Sequence, residues 1–317
     1  MSEIVILGAG AWGTALAIQA ARAGNDVVLW ARSGADATAG ARESPRLPGH
    51  VLPEKIRVTG DVSLVSGTVI AAVPTQSLRA ALAGLRGVRE LVICAKGIEA
   101  GSLRLPLEIA AEVLPNAAAA VLTGPNFAHE IASGLPAAAV VAGLDLGLRE
   151  SVSVRLATPS FRLYGSDDPV GAQIGGAAKN VIAIAAGAVT GAGLGENARA
   201  ALITRGLAEL ARLTVALGGR AETVMGLSGL GDLLLTCTGP ASRNFSLGLA
   251  LGRGETLAAI LAARRSVTEG VATAPALLAR ARGVEMPICE AVAALLDGRT
   301  TLREAIGALL ARPRRDE

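Results

Sequence analysis

Lysine is almost absent from this sequence. Of its 30 basic residues, only Lys55, Lys96 and Lys179 are lysines, and all the others are arginines. Arginine keeps its proton at any working pH, whereas a partly buried lysine can give its proton up. Lys179 lies in the nearly apolar stretch QIGGAAKNVIAIAAGAVTG, residues 173–191, which makes it a candidate for acid–base chemistry. The alternative is a lysine at a helix edge, whose apolar stem packs while its ammonium reaches water.

Cysteine and histidine are scarce as well, which excludes several kinds of site. The three cysteines, Cys94, Cys237 and Cys289, are odd in number, widely spaced and without a C-x-x-C pair. Such cysteines indicate neither a disulfide framework nor a zinc site, and they fit a reducing cytoplasm. His50 and His129 are the only histidines, so we expect no metal site.

Net charge and long apolar runs are also limited. The net charge is +3 for 317 residues, which favours neither a nucleic acid nor a membrane surface as partner. The start of the chain, MSEIVILGAG, contains an acid and a glycine break and is unlike a signal peptide. Gly, Asn or a charge interrupts every apolar run before about 18 residues, the length that spans a membrane. We expect a soluble, cytoplasmic protein without an integral membrane segment.

Apolar residues are abundant, at 51% of the chain, and they follow two patterns. The first half alternates short continuous apolar runs with helical segments, which is typical of βαβ units with a parallel sheet buried on both faces. From about Pro169 onward, leucines at helical spacing predominate. The patterns predict a doubly wound α/β domain over residues 1–170 and an all-α domain over residues 171–317. Six runs are predicted as strands: residues 3–8, 26–31, 68–73, 90–95, 119–124 and 137–143.

The sequence GAGAWG, from Gly8 to Gly13, matches the pattern G-x-G-x-x-G between the first predicted strand and a helix. In dinucleotide-binding folds of the Rossmann type, the first glycine makes a tight turn, the second lets the backbone approach a pyrophosphate, and the third packs the helix on the strand. Gly8, Gly10 and Gly13 would take these roles, with the helix N-terminus facing the phosphates. An ordinary βα turn is the alternative. The match predicts a Rossmann-type N-terminal domain that binds NADP or NAD.

The end of the second predicted strand bears on the choice of cofactor. NAD-selective sites place Asp or Glu about twenty residues after the glycines, whereas this position reads LWARSGAD and carries Arg32. Because a guanidinium suits a 2′-phosphate, Arg32 favours NADPH, with NAD still possible. The alternatives are that Arg32 is an ordinary surface arginine or that Asp36 reaches the ribose.

Four further stretches place polar residues against the Ala- and Leu-rich background. Lys96 in CAKGIE and the segment LTGPNFAHEIASG, residues 122–134, each follow a predicted strand. Ligands of open α/β sheets lie beyond the carboxyl ends of the strands, so both stretches are expected at a ligand. The other two stretches are Lys179 with its neighbour Asn180, and GLSGLGDLLLTCTGPASRNFSLG, residues 226–248.

The last of these stretches combines an acid with a group of anion-binding side chains. Ser242, Arg243 and Asn244 bring together a hydroxyl, a guanidinium and an amide, which suits a phosphate or a carboxylate. Ser242 alternatively caps a helix, and Asp232 alternatively occupies a turn after Gly-Leu-Gly. We expect the glycines of GLSGLGD to let the backbone approach the ligand closely.

One family combines these motifs. The chain resembles the NAD(P)-dependent glycerol-3-phosphate dehydrogenases of bacteria in GAGAWGTALA, AVPTQSLR, CAKGIE, GPNFAHEIA, AAKNVIAIAAG, GLGDLLLTCTG, SRN and VTEGVATA, which extend from Gly8 to Ala274 in the family's order. The resemblance implies reversible reduction of dihydroxyacetone phosphate, a small triose phosphate, to sn-glycerol 3-phosphate with NAD(P)H. It also implies a role in supplying glycerophospholipid synthesis, and a homodimer.

The resemblance implies a role for each matching residue. Lys179 would be the catalytic proton donor and acceptor, and Lys96 would lie between cofactor and substrate. The substrate-binding residues would be Lys96, Gly124, Asn126, Lys179, Asn180, Asp232, Thr236, Ser242, Arg243 and Asn244. The cofactor-binding residues would be Gly8, Gly10, Ala11, Trp12, Gly13, Arg32, Lys96, Ala128, Arg243, Val267 and Glu269. Ala11 stands where the family often has a small polar residue, a difference that leaves backbone contacts intact.

Two rival functions stay open. One is another two-domain NADP-dependent reductase, acting on a 2-oxo or 3-hydroxy acid. Such an enzyme would need a carboxylate-binding site in place of the SRN motif, Ser242–Asn244, which suits a phosphate. A regulator that senses NADP without turnover would need the glycine loop but neither Lys96 nor Lys179.

Overall fold

The computed structural model describes residues 3–264 and 267–313. The chain forms two compact units. The first takes in the chain up to Lys96 together with Arg104–Gln173, and the second takes in Gly97–Leu103 together with the chain from Ile174 onward. The sequence patterns did not predict that the short segment Gly97–Leu103 belongs to the second unit.

A mixed sheet of eight strands is the centre of the first unit. The strands are β1 (Ile4–Leu7), β2 (Val27–Trp30), β3 (Ile56–Thr59), β4 (Gly67–Ala71), β5 (Val88–Ile93), β6 (Ala118–Thr123), β7 (Ala137–Ala142) and β8 (Phe161–Ser166). They lie in the order β3-β2-β1-β4-β5-β6-β7-β8. Because this order grows outward from β1 in both directions, it is that of a doubly wound fold, and it confirms the predicted Rossmann-type sheet.

Helices cover the sheet, so its central strands are buried on both faces. All four residues of β1 are buried, and β5 is buried over Leu91, Val92 and Ile93. Parallel strands with such burial read as continuous apolar runs, which is why they could be found in the sequence. The helices of this unit are α1 (Ala11–Arg22), α2 (Ala35–Ala41), α3 (Thr75–Ala83), α4 (Pro106–Val113), α5 (Ala128–Ser133) and α6 (Leu146–Leu156), with a 3-10 helix at Val62–Leu64.

The sequence patterns miss two strands, β3 and β8, and both are edge strands of the sheet. Only one residue of each strand is buried, Ile56 in β3 and Phe161 in β8, whereas Arg57, Arg162 and Tyr164 are exposed. An edge strand has one open side and carries polar residues there. It therefore lacks the continuous apolar run by which the central strands were recognised.

The sheet is parallel, as the βαβ pattern predicts, except at one pair of strands. β6 and β7 pair in the antiparallel direction, with Leu122 opposite Val141, whereas β7 and β8 are parallel to each other. A strand buried on both faces has the same continuous apolar pattern in either direction. The sequence of the run therefore does not indicate which way it lies in the sheet.

From Ile174 onward, helices are the regular secondary structure of the second unit among the described residues, as predicted. It contains most of α7 (Pro169–Gly191), followed by α8 (Gly195–Ala216), α9 (Ala221–Val224), a π-helical turn at Leu227–Gly231, α10 (Asp232–Cys237), α11 (Arg243–Gly252), α12 (Leu257–Ala262), α13 (Glu269–Arg280), α14 (Pro287–Leu296) and α15 (Leu302–Leu310). The long helix α7 is its core, since residues from Ile174 to Ala183 are almost all fully buried.

Glycines let α7 and α11 approach until their backbones touch. A Cβ on Gly187 would overlap the carbonyl oxygen of Phe245, and a Cβ on Gly248 would overlap that of Ile184. The contact is repeated one turn further along, where a Cβ on Gly191 would lie 3.0 Å from the Cα of Gly252. This packing fixes the position of α11 relative to α7.

The apolar character of α7 follows from this packing. By length and composition it could cross a membrane, with a mean hydropathy of 1.3 over its most apolar window, although glycines, Lys179 and Asn180 interrupt it. However, 83% of that window is buried within the protein, as in a core helix.

The glycine contacts of α7 and α11 can be tested by adding one methyl group. We expect Gly248→Ala to lower the free energy of unfolding by about 2 kcal/mol or more, because the new Cβ would overlap the Ile184 carbonyl and overpacking a core costs about that much. Gly307→Ala is the matched control in α15, where no described atom lies within 4 Å of the added Cβ. It should be neutral or stabilising. Equal denaturant midpoints for the two variants would contradict this account.

Candidate active site

Each of the three glycines of the N-terminal loop has a different role in its structure. Gly8 ends β1 with a φ of +114°, and a Cβ there would lie 2.9 Å from a methyl carbon of Val73. A Cβ on Gly13 would overlap the carbonyl oxygen of Gly8, so Gly13 permits the close packing of α1. At Gly10, by contrast, no described atom lies within 4 Å of an added Cβ. The backbone is therefore open to a ligand at Gly10.

This open position coincides with the N-terminus of α1. Gly10 precedes the helix and offers no side chain to cap it, and the first turn, which begins with Ala11 and Trp12, contains no acidic residue. Unpaired amides at such a terminus bind anions, especially phosphates. The residues present therefore fit the pyrophosphate of a dinucleotide.

Lys96 and Arg32 are also predicted at the cofactor, and each follows a strand. Lys96 lies beyond the end of β5, and Arg32 lies beyond the end of β2. Burial raises the pKa of the Cys94 thiol to about 12, against the opposing effects of a hydrogen bond from Trp12 and the charge of Lys96. Cys94 therefore stays a thiol, and Trp12 and Lys96 both lie near the end of β5. Arg32 follows β2 and is exposed, where its guanidinium is available to a ligand.

A second group of predicted residues lies at the end of β6. The ammonium of Lys96 donates to the carbonyl oxygen of Gly124 at 3.1 Å. Gly124 has a φ of +133°, and its Cα lies against β7, where a Cβ would be 3.1 Å from the Cα of Ala139. The amide of Asn126 donates to the Ala138 carbonyl at 3.1 Å. Its Oδ1 is buried without a hydrogen-bond partner among the described residues, as expected of a group that awaits a ligand. Ala128 begins α5, just beyond.

Lys179 is the centre of the polar residues in the second unit. It is 6% exposed, and Asp232, with which its ammonium forms an ion pair, is 1% exposed. The same ammonium donates to the hydroxyl of Thr236 at 2.9 Å, and that hydroxyl donates to the backbone carbonyl of Asp232 at 2.6 Å. The alternative of an ammonium that reaches water does not apply, because Lys179 is buried and bonded within the protein.

Asp232 begins α10 rather than lying in a turn. The preceding glycine-rich segment forms a π-helical turn, and its glycines make close contacts with other residues of the protein. A Cβ on Gly229 would overlap the Val224 carbonyl, and a Cβ on Gly175 of α7 would lie 2.5 Å from the carbonyl oxygen of Ser228. Gly229 therefore lets the turn pack closely and so helps to place Asp232 beside Lys179. That this glycine-rich segment brings backbone close to a ligand stays a prediction.

Side-chain amides connect α7, α11 and α13. Nδ2 of Asn244 donates to Oδ1 of Asn180 at 2.8 Å, and Oδ1 of Asn244 accepts from the Gly270 N–H at 3.0 Å. Both polar ends of the Asn244 side chain are thus bonded within the protein. Gly270 was not anticipated from the sequence, although it follows Glu269 directly in VTEG; a Cβ there would lie 2.7 Å from Oδ1 of Asn244.

The first turn of α11 presents the remaining predicted residues. Ser242 caps the helix by accepting from the Phe245 N–H at 3.2 Å, so the capping interpretation is correct. Arg243 donates from Nη1 to the carbonyl oxygen of Val267 at 2.8 Å, which brings α11 to the chain just before Glu269, the first residue of α13. No acidic residue lies in this first turn, so the helix N-terminus and Arg243 together favour an anion.

The structure thus groups the predicted residues within each unit. In the second unit, hydrogen bonds connect Lys179, Asp232 and Thr236 in one set and Asn180 and Asn244 in another.

Cys237, next to Thr236, was not predicted at the site. Burial raises its pKa to about 12, with opposing influences from the charges of Lys179 and Asp232, so it remains a neutral neighbour.

The two halves of the chain match the N-terminal and C-terminal domains of one dehydrogenase family. The NAD-dependent glycerol-3-phosphate dehydrogenase N-terminus matches residues 3–148, and the C-terminus of the same family matches residues 168–307.

Individual relatives match over nearly their whole length. The chain is 59% identical to glycerol-3-phosphate dehydrogenase (NAD(P)+) of Acidiphilium cryptum, over 99% of this chain and 98% of that protein. It is 52% identical to the enzyme of the same name from Gluconobacter oxydans, over 98% and 97%. A crystal structure of glycerol-3-phosphate dehydrogenase from Coxiella burnetii superimposes with a TM-score of 0.93 at 36% identity, covering 98% of this chain and 99% of that one. The chain therefore belongs to the NAD-dependent glycerol-3-phosphate dehydrogenase family.

Proposed function

We propose that this protein reduces dihydroxyacetone phosphate to sn-glycerol 3-phosphate, reversibly, with NAD(P)H. The main support is the buried ammonium of Lys179, held by Asp232 and Thr236, in a chain whose relatives are named for glycerol-3-phosphate and NAD(P)+. A buried ammonium that is paired with a carboxylate is well placed to transfer a proton to a substrate oxygen.

Lys179 is the proposed proton donor to the C2 oxygen of the ketone. Reduction places negative charge on that oxygen, and a fixed cation that carries a proton stabilises it. Because Lys179 is 6% exposed, water screens its charge little. Asp232 and Thr236 orient the ammonium. Once its proton has moved to the oxygen, the neutral amine beside Asp232 regains a proton from solvent.

The proposed phosphate site is the first turn of α11. Ser242 caps this turn, Arg243 supplies a guanidinium, and the helix N-terminus favours an anion. Binding a phosphate remote from the reacting carbon helps to hold C2 in place for the reaction. Lys96, Gly124, Asn126, Asn180 and Asn244 are proposed to complete the substrate site, with Asn244 acting through its hydrogen bonds to α7 and α13.

The proposed cofactor site is the open backbone at Gly10 and the N-terminal amides of α1. Gly8, Ala11, Trp12 and Gly13 belong to the same loop, and Arg32, Lys96, Ala128, Arg243, Val267 and Glu269 are proposed as the other cofactor contacts. When bound, the reduced nicotinamide supplies a hydride. The exposed guanidinium of Arg32 supports a preference for NADPH, with NADH also accepted.

The wider setting is inferred from the family resemblance. We infer a dinucleotide-binding domain over residues 1–170 and a substrate-binding and catalytic domain over residues 171–317. We also infer a cytoplasmic homodimer that supplies glycerophospholipid synthesis.

Both rival functions are less well supported. A reductase of 2-oxo or 3-hydroxy acids is disfavoured by the match of both family halves. A non-catalytic sensor would have no use for a buried lysine–aspartate pair in the helical unit.

The central test replaces each of two lysines in turn. We expect Lys179→Met to lower kcat for dihydroxyacetone phosphate by about 10²- to 10⁴-fold, the usual contribution of a positioned acid, while NADPH still quenches protein fluorescence. Lys55→Met is the matched control, because Lys55 is exposed, and it should keep wild-type kcat. Since Lys179→Met removes the cation of the ion pair with Asp232, Lys179→Met with Asp232→Asn is measured in parallel.

Two outcomes would contradict the proposal. One is a folded wild type that binds NADPH but does not oxidise it when dihydroxyacetone phosphate is added. The other is a Lys179→Met variant that turns over at the rate of Lys55→Met.

Arg32 provides a test of cofactor preference. We expect Arg32→Ala to raise the KM for NADPH about tenfold, because a charge-assisted bond to the 2′-phosphate is lost, and to leave the KM for NADH within about twofold. Arg89→Ala is the control, since Arg89 is exposed and lies near the amino end of β5, whereas Arg32 follows the carboxyl end of β2. An equal rise in KM for both cofactors would show that Arg32 does not recognise the 2′-phosphate.

A further inference from the structure

Arg264 lies beside the first turn of α11 and is bonded to it through both of its terminal nitrogens. Its Nη1 donates to the carbonyl oxygen of Arg243 at 2.7 Å, and its Nη2 donates to the hydroxyl oxygen of Ser246 at 3.0 Å. The Ser246 hydroxyl in turn donates to the same Arg243 carbonyl at 3.2 Å. All three residues belong to the second unit. These bonds fix the guanidinium of Arg264 against the turn that carries Arg243.

The oxygens that accept these bonds are neutral, so they hold the guanidinium of Arg264 without balancing its charge. Arg243 likewise donates to a neutral oxygen, the backbone carbonyl of Val267. Burial lowers the pKa of Arg264, the charge of Arg243 lowers it further, and the charge of Glu255 opposes both effects. Arginine nevertheless keeps its proton at any working pH. Since the first turn of α11 has no acidic residue, two positive charges meet there.

This excess of positive charge suits a ligand with two negative charges. Like charges held close together repel each other, and a bound anion offsets that repulsion. The N-terminus of α11 adds the positive potential of the helix dipole. A dianion gains more from such a site than a monoanion, because the Coulomb energy is proportional to the ligand charge. A phosphate ester carries a charge of about −1.5 to −2 at neutral pH, whereas a carboxylate carries a single negative charge.

We propose that Arg264 is a specificity-determining residue, whose charge makes the first turn of α11 select a phosphate dianion over a carboxylate. It acts from a position set by the Arg243 carbonyl and the Ser246 hydroxyl. The SRN motif, Ser242–Asn244, does not contain this residue. The inference rests on the phosphate site of the proposed function, and it explains how that site would discriminate against the 2-oxo and 3-hydroxy acids of a rival reductase.

Two substitutions of Arg264 separate its charge from its hydrogen bonds. Arg264→Gln keeps an N–H donor without the charge, and Arg264→Lys keeps the charge. In the full-length protein, the amide signals of Arg243 and Asn244 are followed by NMR during titration with inorganic phosphate or with acetate. At an ionic strength of about 0.1 M, we expect Arg264→Gln to raise the Kd of phosphate about fourfold and that of acetate about twofold, since the effect scales with ligand charge. Arg264→Lys should stay within about twofold of the wild type for both anions.

The matched control removes the same charge from the other end of the helix. Arg253 directly follows α11 and is exposed. It lies about 15 Å from Arg243 along the helix axis, beyond the Debye length of about 10 Å at 0.1 M salt. Arg253→Gln should therefore leave the Kd of phosphate unchanged. At about 1 M salt, where the Debye length is about 3 Å, the difference between Arg264→Gln and the wild type should disappear.

Three results would overturn the inference. One is an Arg264→Gln variant that binds phosphate as tightly as Arg253→Gln does. Another is an equal loss of affinity for phosphate and for acetate, which would show that Arg264 does not distinguish the two charges. The third is an Arg264→Lys variant that loses as much as Arg264→Gln, because the geometry of the guanidinium would then matter and its charge would not. If Arg264→Gln does not fold, Arg264→Met takes its place.

Steady-state kinetics separate this inference from the proposed function. Arg264→Gln should raise the KM for dihydroxyacetone phosphate about fourfold and leave kcat within about twofold, because the charge acts on the phosphate and not on the reacting carbon. A wild type without turnover, whose α11 still binds phosphate in a way that depends on Arg264, would count against the proposed function alone. An active wild type whose KM is the same in Arg264→Gln and Arg253→Gln would count against the inference alone.

Discussion

A buried ion pair, Lys179 with Asp232, is the constraint on which the second unit of this protein depends. Replacing such a pair by apolar residues is often neutral or stabilising, whereas removing one partner typically costs about 3–5 kcal/mol. The pair is therefore poorly explained as a source of stability. The role that we propose for Lys179, a fixed cation beside a substrate oxygen that becomes negative, would explain the pair by its chemistry, and membership of a dehydrogenase family agrees with this.

The pair stays in place because backbone packing leaves its elements little freedom. Gly175 and Gly229 let the π-helical turn pack closely, so that α10 begins at Asp232 beside α7. Further along α7, the contact between Gly187 and Phe245 brings α11 close. Asn244 then links α11 to α7 and α13 through both ends of its amide. The apolar, glycine-rich sequence around Lys179 thus gives the lysine both a dry environment and a fixed position.

Much of this arrangement could be predicted from the sequence, and the failures have physical reasons. The glycine loop was predictable because Gly8 and Gly13 each meet a separate steric demand, while Gly10 leaves the backbone open. Central strands and long helices have strong apolar patterns, whereas β3 and β8 are partly exposed and have weak ones. The direction of β7 leaves no trace in a strand buried on both faces. Lys179 and Asp232 could be named as candidates, but the direct bond between residues 53 positions apart follows only from the packing of α7 and α10.

Chemical rescue of Lys179→Ala tests the central claim most directly. The measurement is NADPH oxidation by dihydroxyacetone phosphate in the presence of increasing ethylammonium. If Lys179 acts as a fixed ammonium beside Asp232, the added cation should restore turnover in a saturable way, and it should have no such effect on the wild type. If the variant binds both substrates and ethylammonium restores nothing, or if it needs no rescue because its turnover equals that of the wild type, Lys179 is not the proton donor.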